Sequence, residues 1–319
     1  MTLPRRTFLA ASAAVTAAEA QSPPRLGRIA AATIGAPDVD AVVAPYEKLF
    51  GYRVVERIAV DAALAASWGA PATAGRRSVT LQPPGGEAAF VRVVEIEPKP
   101  GFKAITTLGW NSIELAAMDP DAIHAQMQGS VFRIVGAPAQ LGAFPTVRAM
   151  QAVGPAEEVV HLTSESGSSV FVPKTTTPVG RPFIVVLAAP DVAAATDWYA
   201  SRFALKKNAV RRGPIGTING AQGLAADHPH DATFLALAEH ASFLELWGFD
   251  GAASVARPRA AGHLPQGVAL ASFTVASLAE FDLPWLAPPA ARTGAIYRNQ
   301  RSATFVGPAG ELVELIEET

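Results

Sequence analysis

The segment Ala36-Pro37-Asp38-Val39, followed by Tyr46 and Phe50, recurs as Ala189-Pro190-Asp191-Val192, followed by Tyr199 and Phe203, with every internal spacing kept at an offset of 153 residues. In a chain of 319 residues that offset is close to half the length, so it marks a duplicated unit and constrains the fold before any single segment is read. Each copy follows a short apolar run, Ile29 to Ile34 and Phe183 to Leu187, and leads into a helix-like stretch. The repeated unit therefore opens as strand, turn, helix. Hydrophobic residues make up 50% of the chain, enough for two cores in domains of roughly 150 residues. A net charge of −2 with both signs interspersed gives no basic stripe for a nucleic acid and no polybasic membrane patch. With no cysteine, disulfides, thiolate metal sites and catalytic thiols are excluded.

The first twenty residues read as an export signal. Arg5-Arg6-Thr7-Phe8-Leu9 opens an Ala-rich, mildly apolar stretch that ends at Ala18-Glu19-Ala20, a small-x-small cleavage pattern. The arginine pair resembles a twin-arginine signal. A Sec signal with a chance arginine pair, or a frayed helix, is the alternative. Residues 1–20 are thus expected to be removed and the mature protein to be periplasmic. No later run of about 20 uninterrupted apolar residues is long enough to span a bilayer.

Each half divides again. In the first, Ser78 to Leu81 and Ala88 to Ile96 flank the hairpin turn Pro83-Pro84-Gly85-Gly86. A second unit runs from Asn111 to Ala116, through Asp119-Pro120 into a helix over Asp121 to Met127, and ends at Glu158 to Thr163. The third starts at Phe183, has its helix from Val192 to Phe203, and ends in the hairpin Ala232 to Ala238 and Ser242 to Phe249. The fourth begins at Val268 to Val275, turns at Ala276-Ser277 into a short helix broken by Pro284, and finishes with Ser302 to Val306 and Glu311 to Ile316. Residues 173–181, rich in threonine and proline, read as the linker between halves.

Four such βαβββ units, an Asp-Val turn into a helix that carries an aromatic near its end, and closing strands of apolar-polar-apolar type resemble the vicinal oxygen chelate superfamily of glyoxalases, extradiol dioxygenases and bleomycin resistance proteins. The resemblance implies an α+β fold: four βαβββ modules paired into two domains, each an open curved mixed sheet enclosing a cleft. The expected pairing is an N-terminal domain over 27–172 and a C-terminal domain over 182–319. Pairing between chains, in a homodimer, would keep the same site types. Ligands or metal are then expected on inward side chains of the first and last strands of each module.

The closing strands read Val94-Glu95-Ile96, Val160-His161-Leu162, Leu244-Glu245-Leu246 and Val313-Glu314-Leu315. Strand side chains alternate, so if the apolar neighbours pack under the helices, Glu95, His161, Glu245 and Glu314 point into the clefts. Water-facing edge positions are the alternative. The opening strands lack the metal-ligand histidine or glutamine that the resemblance implies: the positions read Ala31 or Ala32, Ser112, Ile184 and Leu270. A facial triad of two imidazoles and a carboxylate is not supported in the C-terminal half. His228 and His230 read as loop residues, His240 as a hairpin tip, His263 as a surface loop and His124 as a helix surface position. If a divalent metal is held at all, its ligands are Glu95 and His161, which is one short of the usual three.

Histidine is the side chain suited to exchanging a proton near neutral pH, so His161 is the candidate base, with Glu95 as its partner. Trp110 and Ser112 sit at the start of the second module's first strand, Trp110 as a flat wall for a substrate or as core packing. Trp247 shares the face of Glu245; Tyr297, Arg298 and Arg301 can clamp an anion above Glu314. These residues point to proton abstraction from a small organic molecule, aromatic or cyclic, by a lyase or isomerase. A non-catalytic binding protein of the bleomycin-resistance type, or a metal-dependent dioxygenase or glyoxalase with displaced ligands, are the rival expectations.

Overall fold

The computed structural model describes residues 22–142, 144–168 and 171–318. The signal-like segment 1–20 lies outside the described residues. The first module comprises β1 (Ile29–Ala36), α1 (Val39–Phe50), β2 (Arg53–Ala59), α2 (Ala62–Ser67), β3 (Arg77–Gln82) and β4 (Phe90–Glu95). The second comprises β5 (Gly109–Ala117), α3 (Pro120–Met127), β6 (Arg133–Leu141), β7 (Phe144–Val153) and β8 (Val159–Glu165). The third comprises β9 (Val179–Ala189), α4 (Val192–Phe203), β10 (Arg211–Pro214), α5 (Gly216–Gln222), β11 (Pro229–Ala236) and β12 (Phe243–Gly248). The fourth comprises β13 (Gly267–Val275), β14 (Ala290–Ala291), β15 (Arg301–Val306) and β16 (Leu312–Glu317). Where a short helix is expected in the fourth module, a single 3₁₀ turn stands at Leu278–Glu280.

The repeated Asp is a helix cap. Asp38, Asp119 and Asp191 each sit in extended backbone, and their carboxylates accept hydrogen bonds from amides of the first helical turn. Four residues apart along α1 and α4, apolar positions then face one side: Val42, Tyr46 and Phe50 in α1, and Ala195, Tyr199 and Phe203 in α4, are buried.

Two eight-stranded mixed sheets result, and their composition corrects the expected pairing. One runs β14-β15-β16-β13-β1-β4-β3-β2, the other β10-β11-β12-β9-β5-β8-β7-β6. The first module thus shares a sheet with the fourth and the second with the third; neighbours in sequence within each half do not pair. The cause lies in the segment read as a linker. β9 already begins at Val179 and runs antiparallel to β5, with Val179 opposite Ala117 and Ile184 opposite Glu114. The chain leaving the second module therefore enters the strand that completes its own sheet, and the outer modules meet through β1 and β13, with Ala32 opposite Ala271. The convex faces and helices enclose a common core that holds Tyr46, Phe50, Trp110, Tyr199, Phe203 and Phe273. The concave faces point away from one another.

Buried carboxyls mark the turns before two closing strands. Glu158 and Glu311 accept the amides of Ala156 and Ala309, and Glu311 also accepts the Tyr199 hydroxyl. Burial pushes Glu158 up to about 8 and Glu311 up to about 7. In the folded protein these groups hold protons that the unfolded chain releases above its ordinary carboxyl range. Their contribution to stability is full in mild acid and is lost as pH rises toward 8. His263 has the opposite sign, because burial lowers its pKa, but it is one group against several. The unfolding free energy from urea titration is expected to fall by a few kcal/mol between about pH 5 and about pH 9, less in Glu158→Gln; a free energy that rises over that range would contradict this assignment.

Candidate active site

The two concave faces carry equivalent positions and have opposite fates. In the sheet of the first and fourth modules, the inward residues are Thr33 on β1, Arg92 on β4, Ser272 on β13 and Glu314 on β16; strand pairing sets Thr33 beside Arg92 and Ser272 beside Glu314. This face is filled. Arg92 and Glu314 are 2% and 0% exposed, and they pair at 3.3 Å. Glu314 also accepts from Ser272 Oγ (2.6 Å), Trp68 Nε1 (3.1 Å) and Tyr297 Oη (2.9 Å). Arg92 donates to Thr33 Oγ1 at 3.0 Å and lies 4.4 Å from the Trp68 ring centroid. Leu64 and Trp68, from α2 and the turn after it, pack over the sheet with Ile296 and Tyr297. An ion pair so enclosed is satisfied from within and leaves no room for a ligand. Arg298, expected beside Glu314, is instead exposed in a turn with φ of 51°.

Glu95 is a further correction. Alternation puts Arg92 and Val94 on the concave face, and hence Glu95 on the other, where it is half-buried and pairs with Arg76 at 3.3 Å. It belongs to a different sheet from His161, and its partners are Arg76 and the Arg77 amide, whereas the imidazole pairs with Glu114.

The sheet of the second and third modules curls around an open cavity of about 850 Å³. Its floor carries Glu114 on β5, His161 on β8, and Glu245 and Trp247 on β12. Parallel pairing puts Glu114 directly beside His161, and Val186 beside Glu245. His161 Nδ1 lies 3.0 Å from Glu114 Oε1, and the second Glu114 oxygen accepts the Thr163 hydroxyl at 3.0 Å. That bond commits Nδ1, so Nε2 is the nitrogen left to meet a ligand. The His161 ring stacks on Trp247 with centroids 5.6 Å apart, and Trp247 Nε1 donates to Glu245 at 2.7 Å. Desolvation in the floor, then the charge of Glu114 and a hydrogen bond shared with it, push Glu245 up to about 8, against the Trp247 bond, which lowers it. The walls are largely apolar, with Val135, Leu141, Phe144, Phe171, Ile215 and Phe234.

Of the residues expected to act, the cavity brings together His161, Glu245 and Trp247. It does not include Trp110, whose ring is buried against Phe273 with Nε1 donating to the Leu312 carbonyl at 2.6 Å. An irregularity between Trp110 and Ser112 on β5 turns the tryptophan into the inter-sheet core. Ser112 is fully buried and makes no hydrogen bond through Oγ. His230 and His263 are buried, not surface residues: His230 lies on β11 with Nε2 2.6 Å from Asn219 Oδ1. Glu114 and Arg92 escape the sequence reading, although both have a signal there. Glu114 is five residues before the capping Asp119, as Thr33 is before Asp38; the repeat offset carried back from Glu245 lands on Arg92.

The donor set does not fit the divalent ion that the family resemblance implies. Among the described residues, no three His, Cys, Asp or Glu side chains gather to hold one. His161 Nδ1 and both Glu114 oxygens are engaged, Glu245 accepts from Trp247, and the fourth inward position is Val186, which has no donor.

No family model and no curated protein sequence matches the chain. Solved structures do. Glyoxalase I from Zea mays is 16% identical, with 91% of this chain and 92% of that chain covered and a TM-score of 0.58. A putative dioxygenase from Bacillus subtilis is 10% identical, with 93% and 86% covered and a TM-score of 0.58. At these identities the likeness is one of fold, and it spans all four modules. No helix among the described residues is long and apolar enough to cross a membrane.

Proposed function

We propose that the chain is an acid–base enzyme of the vicinal oxygen chelate type that moves a proton on a small, largely apolar organic molecule in the cavity of the second and third modules. The observation that carries this reading is the His161–Glu114 contact at 3.0 Å on one cavity floor with Glu245, which Trp247 holds at 2.7 Å. Glu114 accepts from Nδ1, fixes the tautomer and stabilises the imidazolium that forms. His161 Nε2 takes a proton from a carbon next to a carbonyl; the electron pair moves to the carbonyl oxygen, and Glu245 gives that oxygen its proton. Return of the His161 proton to another carbon, while the enol O–H proton goes back to Glu245, completes an isomerisation; in an elimination the β-substituent leaves with the bonding electron pair and the His161 proton as the O–H proton goes back to Glu245. A carboxyl that titrates near 8 is suited to the acid role at neutral pH.

The test is deuterium uptake from D₂O into a panel of carbonyl compounds with acidic C–H bonds, read by mass spectrometry. Uptake that disappears in His161→Gln and persists in Glu95→Gln is the expected result. The apolar walls favour a second reading, a non-catalytic binding protein: binding of panel members with no uptake in any variant would establish it against the first. We propose export as well, from residues 1–20; N-terminal sequencing of the protein from a fractionated cell tests it, and an intact N-terminus in the cytoplasm would end it.

A further inference from the structure

We infer that the molecule taken by this cavity is an anion with a flat apolar body, whose charge is held at the rim by Arg211. The inference rests on the cavity being the ligand site but not on the acid–base step. Strand pairing puts Arg211 opposite Ala232, and Ala232 opposite Trp247, so the three side chains share the concave face. Across strands spaced by roughly 4.8 Å, the arginine stands about 10 Å along the sheet from the tryptophan on the floor. Its guanidinium lies 5.5 Å from the centroid of Phe144, which stacks on Phe171 at 5.2 Å; Phe234 packs against both.

The neighbouring cation is already spent. Arg212 pairs with Asp231 at 2.9 Å, whereas Arg211 makes no ion pair with any described residue. The acidic groups of the lining, Glu114 and Glu245, are at the floor. A negative ligand group is therefore disfavoured beside the Glu114 carboxylate of the floor and attracted to the rim, and the apolar body is left between the phenylalanines. That charge pattern selects both the ligand and its orientation. A planar guanidinium meeting a carboxylate in a fork is stronger and more directional than an ammonium would be.

Calorimetric titration of the full chain with 2-naphthoate and with its uncharged isostere 2-naphthamide tests this. The expected result is at least ten-fold tighter binding of the naphthoate at low salt, a gap that closes in Arg211→Gln, persists in Arg212→Gln and shrinks with added salt. Naphthamide affinity should stay within about two-fold in all three proteins. Equal affinity in the unmodified protein, a preference that survives Arg211→Gln, or no binding of either compound would each overturn the inference. None of these readouts depends on turnover, so loss of the acid–base reading in the deuterium assay would leave this result standing, and the reverse.

Discussion

Arg92→Met is expected to destabilise the protein by about 3–5 kcal/mol, measured as a shift in urea-induced unfolding. The guanidinium and the Glu314 carboxylate are both essentially inaccessible, and removal of one leaves the other buried without its counter-charge. The three neutral donors that remain on Glu314, from Ser272, Trp68 and Tyr297, soften the loss without neutralising the charge. The double variant Arg92→Met with Glu314→Leu should recover most of it, because a well-packed apolar pair replaces both charges. Glu95→Gln, which breaks only a partly exposed pair with Arg76, should change stability by less than about 1 kcal/mol. A single variant no less stable than the unmodified protein would mean that the first and fourth modules do not enclose this ion pair.

Deuterium uptake into a responsive compound is expected to drop by roughly 10²–10⁴-fold in His161→Gln, the size of a lost general base. Glu114→Gln should give a smaller loss, because the imidazole keeps its place but loses the carboxylate that orients it and stabilises its charged form. In the unmodified protein the rate should fall as pH rises through about 8, where Glu245 loses its proton; in Glu245→Gln that limb should vanish along with most of the rate. Unchanged uptake in His161→Gln would remove the mechanism. Ligand titrations on the same variants separate loss of chemistry from loss of the cavity.

Topology within a module was legible in the chain, and partnership between modules was not. The repeated Asp38 and Asp191 announce helix caps, and Tyr46 and Tyr199 announce the buried helix face, because capping and 3.6-residue periodicity are local. Which strand lies beside β5 is not local. Val179 and Gly180 look like a loop beside Pro178, yet they open the strand that joins the second and third modules. Period-two alternation likewise fixes a face only once one inward residue is known. Val94 and Ile96 are as apolar as Val160 and Leu162, so apolar flanks chose Glu95; the repeat offset, applied to Glu245, selects Arg92 instead. Irregular pairing at Trp110 breaks alternation altogether. The turns Gly154-Pro155-Ala156-Glu157-Glu158 and Gly307-Pro308-Ala309-Gly310-Glu311, at the same offset, show that the duplication reaches the second and fourth modules too.

The proposed chemistry depends most on a proton held by Glu245 next to His161 and Glu114. Infrared difference spectra of the unmodified protein against Glu245→Gln, taken across a pH titration, read that proton without any substrate. The prediction is a neutral-carboxyl band at pH 6 that is absent from the variant and fades with a midpoint near 8. A Glu245 that is already a carboxylate at pH 6 would contradict it.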